Sequence, residues 1–434
     1  MPKVSTLKNG MKLLRVPMSG VESIATVVMV KAGSRYEDEA DYGVAHFLEY
    51  MVFKGTKKYP TNKILTQKVD GVGAAFNAFT SEEGTAFYLR SAAKDLDLTL
   101  DVLSQLTTQM LLEPEEIERE RGVILEEKHM YEDQPSAFNS QEFIKMFCAG
   151  TGLGHDVVGT DKSIKNIKQE TFRKFIARWY RPEHMLLVVA GKKQAVQAPD
   201  LEEKAERYFK FGKLTGKAAR QEDFWEKEFH YGERLNFIDR KTEQTHFILG
   251  WPSLNRFDKR DNTLDVLQTI LGGNMSSRLF SEVRERRGLC YYVYAQASSF
   301  CDSGYFGASS GVNPEKLIEA IKVTVDEFSQ LASGEKKVEA AELARAKDYL
   351  CGQMTLSAES VYALALNYGT QLLFENRIRT VSQEMKRVQA VTLDDVQALA
   401  RELIRPEELR LSAIGKISDK QKREIEAIVG TRAR

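Results

Sequence analysis

The sequence carries no excess of charge of either sign. Its 434 residues include 62 Lys and Arg residues and 62 Asp and Glu residues, so the formal net charge at pH 7 is zero. Lys and Arg residues do not cluster in a tract with interleaved aromatic residues, which is the pattern of nucleic-acid-binding segments. We therefore expect no nucleic-acid partner.

The sequence also lacks a long apolar run. No run approaches the roughly 18 residues that a membrane-spanning helix requires, so we expect no membrane association. The N-terminal residues MPKVSTLKNGMKLLRVPMSG have neither the apolar stretch of a signal peptide nor the Arg- and Ser-rich bias of a transit peptide. We expect a cytoplasmic protein, and removal of a leader before this N-terminus stays an open alternative.

Cysteine is scarce and scattered. The four cysteines are Cys148, Cys290, Cys301 and Cys351, and no two of them form a C-x-x-C pair. In a chain of this length the pattern indicates thiols in a reducing compartment, most of them buried as small apolar side chains. It predicts neither a disulfide framework nor a thiolate zinc site.

The composition is that of an ordinary globular protein with more than one domain. Hydrophobic residues make up 42% of the chain and charged residues 29%, which is typical of soluble folded proteins. A chain of 434 residues exceeds what one hydrophobic core usually supports. We therefore expect two to four domains.

An internal repeat divides the chain. Residues 167–192 (IKQETFRKFIARWYRPEHMLLVVAGK) align without gaps with residues 391–416 (VTLDDVQALARELIRPEELRLSAIGK). In both copies, apolar residues at i, i+3 and i+7 predict an amphipathic helix, and a proline separates it from a short apolar strand. The two copies are offset by 224 positions, a period too long for a solenoid, so the repeat indicates a duplicated domain.

Strand patterns alternate with longer helical patterns in each half of the chain. Residues 24–33 and 245–251 have the pattern of strands, and residues 195–211 and 315–331 have the pattern of helices. These patterns predict an α+β fold with two duplicated domains. In each domain we expect helices to pack on one face of a mainly antiparallel sheet.

The domain boundary is expected in a polar region that includes KLTGKAARQED. We place an N-terminal domain at residues 1–215, a linker at residues 216–233 and a C-terminal domain at residues 234–434.

The segment GVAHFLEYMVFKGT (residues 43–56) carries the most specific chemistry. The spacing predicts a helix over residues 43–54, with His46, Glu49 and Tyr50 on one face. Imidazole is a natural zinc ligand, and a neighbouring carboxylate can deprotonate zinc-bound water, whose pKa the metal lowers to about 7. Because catalytic zinc sites usually have three protein ligands, a further ligand must come from elsewhere.

A downstream segment, EEIERERGVILEEKHMYEDQP, offers that ligand. Glu120 and Glu127 are two helical turns apart and share a helix face. Taken alone, such a Glu pair is usual on a solvated surface. His129, His155 and His184 could also donate an imidazole, but none of them stands in a comparable motif.

Five segments in order now resemble a known family: LKNGMKLL, HFLEYMVFKGT, FNAFTSEEGTAFYL, ERERGVILEE and GHDVVGT. They are similar to the pitrilysin/insulysin and mitochondrial processing peptidase family of inverzincins, whose motif is H-x-x-E-H. The resemblance covers nearly the whole chain and is closest to the short bacterial members. It implies that His46 and Glu127 bind zinc and that Glu49 is the general base. It also implies that Glu120 is an auxiliary acid that orients the site.

Tyr50 is the departure from that pattern, because it stands where the family has its second His. The unperturbed pKa of tyrosine is about 10, so a metal would have to displace the phenol proton at pH 7. The phenol oxygen also lies farther from the helix axis than an imidazole nitrogen does. We therefore expect a weakened affinity for zinc. The alternative is that Tyr50 is a working zinc ligand.

The resemblance also suggests how a substrate is held. Asn77, Ala78 and Phe79 correspond to the family's edge strand, which pairs with an extended peptide by β-augmentation. An ordinary sheet strand has the same pattern. In the second half, Arg284 and Tyr291 correspond to an Arg/Tyr element that contacts the substrate carbonyl or its developing oxyanion, although Arg284 alone is equally consistent with a surface ion pair.

Two functions follow from these expectations. The first is a zinc-dependent metalloendopeptidase that acts on peptides or unfolded segments, impaired by Tyr50. The second is a non-catalytic partner or structural subunit of a peptidase-like complex. In either case, the resemblance implies a homodimer or a heterodimer with a related chain.

Overall fold

The computed structural model describes residues 1–212, 214 and 217–430, and within them eleven strands and sixteen α-helices form. The strands are β1 (Lys3–Thr6), β2 (Lys12–Met18), β3 (Ser23–Val30), β4 (Ala75–Thr80), β5 (Thr85–Ala92), β6 (Met185–Lys192), β7 (Leu235–Asp239), β8 (Thr245–Pro252), β9 (Cys290–Ser299), β10 (Gly304–Val312) and β11 (Arg410–Gly415).

The helices are α1 (Val44–Met51), α2 (Asn62–Asp70), α3 (Leu96–Thr108), α4 (Pro114–Glu132), α5 (Pro135–Phe147), α6 (Asp161–Asn166), α7 (Gln169–Trp179), α8 (Lys193–Val196), α9 (Leu201–Tyr208), α10 (Asp261–Gly272), α11 (Leu317–Ser333), α12 (Ala340–Ala358), α13 (Val361–Glu375), α14 (Val381–Ala390), α15 (Leu393–Leu403) and α16 (Asp419–Val429). No described helix combines the length and the apolar character needed to cross a membrane.

The chain forms two compact units. The first comprises Met1–Lys128, His155–Trp225 and Leu356–Thr380. The second comprises His129–Gly154, Glu226–Thr355 and the chain from Val381 onward.

The sheet of the first unit has six strands in the order β1-β2-β6-β3-β5-β4. All neighbouring strands are antiparallel except β2 and β6, which are parallel. Strand β4 lies at one end of the order and pairs only with β5. Its other edge is therefore not used within this sheet.

The sheet of the second unit repeats this arrangement without a counterpart of β1. Its order is β7-β11-β8-β10-β9, and only β7 and β11 are parallel. Helix α7 followed by β6 corresponds to α15 followed by β11, as the internal repeat predicts. The expected α+β class, with two duplicated domains and mainly antiparallel sheets, is confirmed.

Each sheet is covered on both faces, whereas the sequence patterns predicted helices on one face. In β3, the side chain of Val28 belongs to the main core of the first unit. The next side chain, Met29, points to the opposite face, where its sulfur lies against Gly369 of α13. In β8, Phe247 joins the main core of the second unit, while Ile248 packs with residues of α5 on the other face.

The helices on these second faces come from the other half of the sequence. Helix α13 belongs to the first unit and α5 to the second, so the units are not the contiguous halves 1–215 and 234–434. Apolar burial has no directional preference, and the periodicity of a helix does not specify which sheet it will cover. The expected boundary between residues 215 and 216 lies outside the described residues.

One predicted helix differs in a way that the sequence explains. Residues 195–211 form parts of two short helices, α8 and α9, because Pro199 lacks the N–H that a continuous helix needs. The helix predicted over residues 315–331 is confirmed as α11, Leu317–Ser333.

Candidate functional site

Helix α1 presents three of the predicted site residues. It spans Val44–Met51 and ends before the predicted limit at residue 54. His46 is buried, and Glu49 and Tyr50 are half-buried. The ring centroids of His46 and Tyr50 are 5.3 Å apart, so these two side chains share a face as the spacing predicts.

A buried carboxylate holds the N-terminus of α1. Glu37 accepts hydrogen bonds from the backbone N–H groups of Gly43 and Ala45, each at 2.7 Å. These donors lie at the helix N-terminus, where N–H groups have no intrahelical partner and negative charge is stabilising. The Nε2 of His155 lies 3.4 Å from Glu37 Oε2, and its ring stacks on Tyr42 at 3.7 Å. Burial raises the pKa of Glu37, and His155 and the two N–H groups oppose that rise.

Gly43 allows a second segment to press directly on this helix end. Its φ is 94°, and a Cβ at this position would lie 2.2 Å from the carbonyl oxygen of Val158. A side chain is therefore excluded both by the left-handed backbone and by the contact. The contact fixes where α1 begins.

Helix α4 brings Glu127 to α1 from 77 positions away. The Tyr50 hydroxyl donates to Glu127 Oε2 at 2.9 Å. His46 Nε2 lies 3.6 Å from the same oxygen, which is too long for a hydrogen bond. Burial raises the pKa of Glu127, and the hydrogen bond from Tyr50 opposes the rise. His46, Tyr50 and Glu127 thus form one cluster.

His46 is neutral at physiological pH. Burial lowers its pKa to about 4, although the charge of Asp156 opposes the shift. Its Nδ1 is buried and has no hydrogen-bond partner among the described residues. Metal-binding histidines usually donate this second N–H to a carbonyl or a carboxylate, and His46 lacks that support here.

Glu49 is held by the last residue of β4. The Thr80 hydroxyl donates to Glu49 Oε2 at 2.6 Å. Burial raises the pKa of Glu49 to about 7, and the charge of Glu127 adds to the rise while the hydrogen bond from Thr80 opposes it. A carboxyl group with this pKa is suited to accept and release protons near neutral pH.

Glu120 is paired with a cation. Its side chain is buried, and Lys54 Nζ lies 2.6 Å from its Oε1. The ammonium group compensates the buried charge, as buried carboxylates require. Lys54 follows α1 by three residues, so this pair ties the end of the motif to α4.

The residues present do not fit a zinc site with three protein ligands. The 3.6 Å between His46 Nε2 and Glu127 Oε2 is close to the roughly 3.4 Å between two ligands on one tetrahedral zinc. The third direction, however, is taken by a phenol that donates its proton to Glu127. Within residues 1–212, 214 and 217–430, no three His, Cys, Asp or Glu side chains are arranged to hold a metal ion.

The predicted substrate strand lies at the sheet edge. Asn77, Ala78 and Phe79 belong to β4, which the sheet order leaves unpaired on one side. Asn77 and Phe79 are exposed and Ala78 is buried, so the side chains alternate across the strand. The contact from Thr80 to Glu49 places the end of this edge beside the cluster on α1.

The Arg/Tyr element lies in the second unit. Arg284 is part of a π-helix, Phe280–Glu285. Its guanidinium lies 4.8 Å from the ring centroid of Phe280 and 5.3 Å from that of Tyr291, distances typical of cation–π contacts. Tyr291 lies on the edge strand β9 and is 74% exposed.

Sequence reasoning missed three side chains that hold this site, Glu37, Lys54 and Thr80, and it considered His155 only as an alternative imidazole donor. Thr80 directly follows the predicted substrate residues, and Glu37 precedes the motif by one loop. An acidic residue before a helix start is a signal for capping. The other contacts depend on separate segments that meet only in the fold.

The fold is that of a duplicated α+β protein, and the site has the residue pattern of a metallopeptidase except at Tyr50. Residues 19–161 match the family model described as insulinase (peptidase family M16), and residues 166–350 match the model described as peptidase M16 inactive domain. The chain belongs to peptidase family M16.

Relatives with zinc protease names support this assignment. An uncharacterized zinc protease of Streptomyces coelicolor is 35% identical over 435 aligned positions, covering 96% of this chain and 90% of the relative. The uncharacterized zinc protease YmxG of Bacillus subtilis is 32% identical, covering 93% of this chain and 96% of the relative.

Two solved structures have the same fold. A protease from Helicobacter pylori superimposes with a TM-score of 0.87 at 22% identity, covering 96% of this chain and 99% of the other. A peptidase M16 inactive domain from Pseudomonas fluorescens gives a TM-score of 0.86 at 20% identity, covering 96% and 98%.

We expect Glu37→Gln to loosen α1. The carboxylate of Glu37 accepts one hydrogen bond on each oxygen, whereas the amide of Gln has a single acceptor oxygen. Each buried hydrogen bond that is lost costs about 1–3 kcal/mol. Hydrogen exchange at the start of α1 should then accelerate by roughly 5- to 150-fold. Mass spectrometry measures it, with the exposed Glu39→Gln as the matched control. Equal exchange in both variants would remove the capping role.

The raised pKa of Glu49 predicts a dependence of stability on pH. The folded-state pKa of about 7 lies above the unfolded value, so between about pH 4.5 and 7 the folded chain binds more protons. Glu49 should therefore contribute a fall of up to about 3 kcal/mol in the unfolding free energy across this window. Glu49→Gln should reduce that fall. Urea denaturation at several pH values tests this, and parallel curves for both proteins would contradict it.

Proposed function

We propose that the protein binds peptides or unfolded segments along β4 and that its peptidase activity is impaired by Tyr50. In an intact site, zinc-activated water and a Glu base would hydrolyse the peptide bond. The observation that carries the proposal is the 2.9 Å hydrogen bond from the Tyr50 hydroxyl to Glu127. It occupies the carboxylate that the family pattern assigns to the metal.

The size of the impairment follows from the phenol. Ionising an unperturbed tyrosine at pH 7 costs about 4 kcal/mol, and the bond to Glu127 must also be given up. Without that ionisation, His46 and Glu127 are the two remaining metal ligands of the motif. We infer that zinc binds weakly and that hydrolysis is slow compared with a chain that has His at position 50.

Peptide binding does not depend on the metal. The free edge of β4 offers backbone N–H and C=O groups to an extended chain, which is the mode of β-augmentation. The exposed side chains of Asn77 and Phe79 border that edge. Such binding reads main chain more than side chain, so it suits substrates of varied sequence. In the second unit, Arg284 and Tyr291 are proposed to contact a substrate carbonyl or its developing oxyanion.

A second candidate is a non-catalytic partner of a related chain. The pairs Tyr50–Glu127 and Lys54–Glu120 favour it, because each engages a carboxylate of the peptidase motif within the chain itself. The retained Glu49, beside the edge strand, favours the impaired enzyme. We propose that the chain acts as a cytoplasmic homodimer or as a heterodimer with a related chain.

Tyr50→His should restore zinc binding. The imidazole supplies the third ligand and frees Glu127, so the variant should retain about one zinc per chain against a chelator. The unaltered chain should retain far less, and so should Tyr50→Phe, which removes the hydroxyl without adding a ligand. Metal analysis after chelator dialysis measures this. Equal retention by the unaltered chain and the Tyr50→His variant would make Tyr50 a working ligand.

Main-chain recognition predicts a register effect. A peptide N-methylated at every second residue loses two or three hydrogen bonds in one register and none in the other, so its affinity should fall roughly 10-fold or more in one register only. Two such peptides are compared, one methylated at the odd positions and one at the even positions. Fluorescence anisotropy measures the affinity of both, together with the unmethylated parent and a scrambled, unmethylated control. The proposal fails if both methylated peptides bind like the parent, or if scrambling alone abolishes binding.

A further inference from the structure

The cluster on α1 and α4 contains two carboxylates that lack a compensating cation. Among the described residues, the ion pairs of Lys and Arg include neither Glu49 nor Glu127. Lys54, which follows α1, is committed to Glu120. The hydrogen bonds from Thr80 and Tyr50 each use one oxygen, Oε2, of their carboxylate. Half-buried carboxylates without a cation are costly, and a ligand that brings one would relieve that cost.

The histidine of the cluster points to the kind of ligand. His46 is 8% exposed, and its Nδ1 makes no hydrogen bond within the described chain. Its Nε2 faces Glu127 Oε2 at 3.6 Å. With the ring proton on Nδ1, two acceptors face each other and neither can satisfy the other. A donor group between them would serve both.

A primary ammonium group matches this set of acceptors. It carries three N–H donors around one positive charge, and the cluster offers an imidazole nitrogen and two carboxylates. Zinc suits the cluster less well, because Tyr50 keeps its proton on the third side. The planar guanidinium of arginine directs its donors outward as a fork, which suits a single carboxylate better than acceptors on three separate side chains.

The cluster also lies where a bound peptide would pass. Thr80 ends the edge strand β4 and holds Glu49 through its hydroxyl. A peptide paired with this edge would therefore bring its own groups close to Glu49.

We propose that His46, Glu49 and Glu127 form a subsite for a primary ammonium group of a bound peptide, in the place where the family pattern has zinc. The group is either the side chain of a lysine or the N-terminal amine. This inference rests on the proposed binding of peptides along β4 and names the chemistry that selects among them.

The test uses four fluorescent peptides of one sequence in the presence of a chelator. The first peptide has a free lysine and a blocked N-terminus, and the second has an acetyl-lysine and a free N-terminus. The third has both amines free, and the fourth has both amines blocked. Peptides with the matching amine should bind about 10-fold tighter or more than the fully blocked peptide, as expected for a charge-assisted hydrogen bond. The first two peptides distinguish a lysine from the N-terminal amine.

Glu127→Gln supplies the decisive variant. It keeps an acceptor for Tyr50 but removes the charge, so the preference for the matching amine should disappear. Glu126→Gln alters an exposed neighbour on the same helix and should leave the preference intact. The inference is overturned if all four peptides bind equally, or if the two variants behave alike. Equal binding leaves the proposed function standing, whereas no binding by any peptide refutes both.

Discussion

The Tyr50 hydroxyl and the Glu127 carboxylate meet across 77 positions of sequence, and their hydrogen bond joins α1 to α4 at the centre of the candidate site. A histidine at position 50 would point a lone pair at a metal. The phenol of Tyr50 instead donates a hydrogen bond to Glu127 Oε2, an oxygen that would otherwise be available to the metal. The bond is partly shielded from water, and hydrogen bonds to ionised groups are stronger than neutral ones. Tyr50 supplies no positive charge, so among the described residues the carboxylates of Glu49 and Glu127 stay beside a neutral imidazole without an ion pair to Lys or Arg.

Helix α1 is held from three directions. Glu37 caps its N-terminus, Thr80 binds Glu49 from the sheet edge, and Glu127 meets Tyr50 from α4. Each anchor comes from a different element, so the helix is fixed although it has only eight residues. Short helices are marginal in isolation. Its position is thus a property of the unit around it.

The two sheets show the same dependence on distant segments at a larger scale. Each sheet has one face covered by helices of its own half and the other by a helix from the opposite half, α13 in the first unit and α5 in the second. Strands β4 and β9 each lie at one end of their sheet. Those edges carry the residues that the family pattern assigns to substrate.

The sequence by itself determined the elements and their chemistry. Periodicity and the internal repeat were enough to predict two duplicated α+β domains, and the spacing of His46, Glu49 and Tyr50 was enough to place them on one helix face. These are local properties, since a turn of helix or a pleat of strand brings near neighbours together wherever the segment lies.

Only the tertiary structure decided which distant groups meet. Three contacts between distant residues depend on it: Tyr50 with Glu127, Lys54 with Glu120 and Thr80 with Glu49. The packing of α5 and α13 on the sheets of the opposite halves of the sequence depends on it as well. Burial of apolar surface drives such packing without directional preference, so a helix pattern does not name its partner. The charge state of the site was decided in the same way, because the pKa values of His46 and Glu49 depend on burial that separate segments provide together.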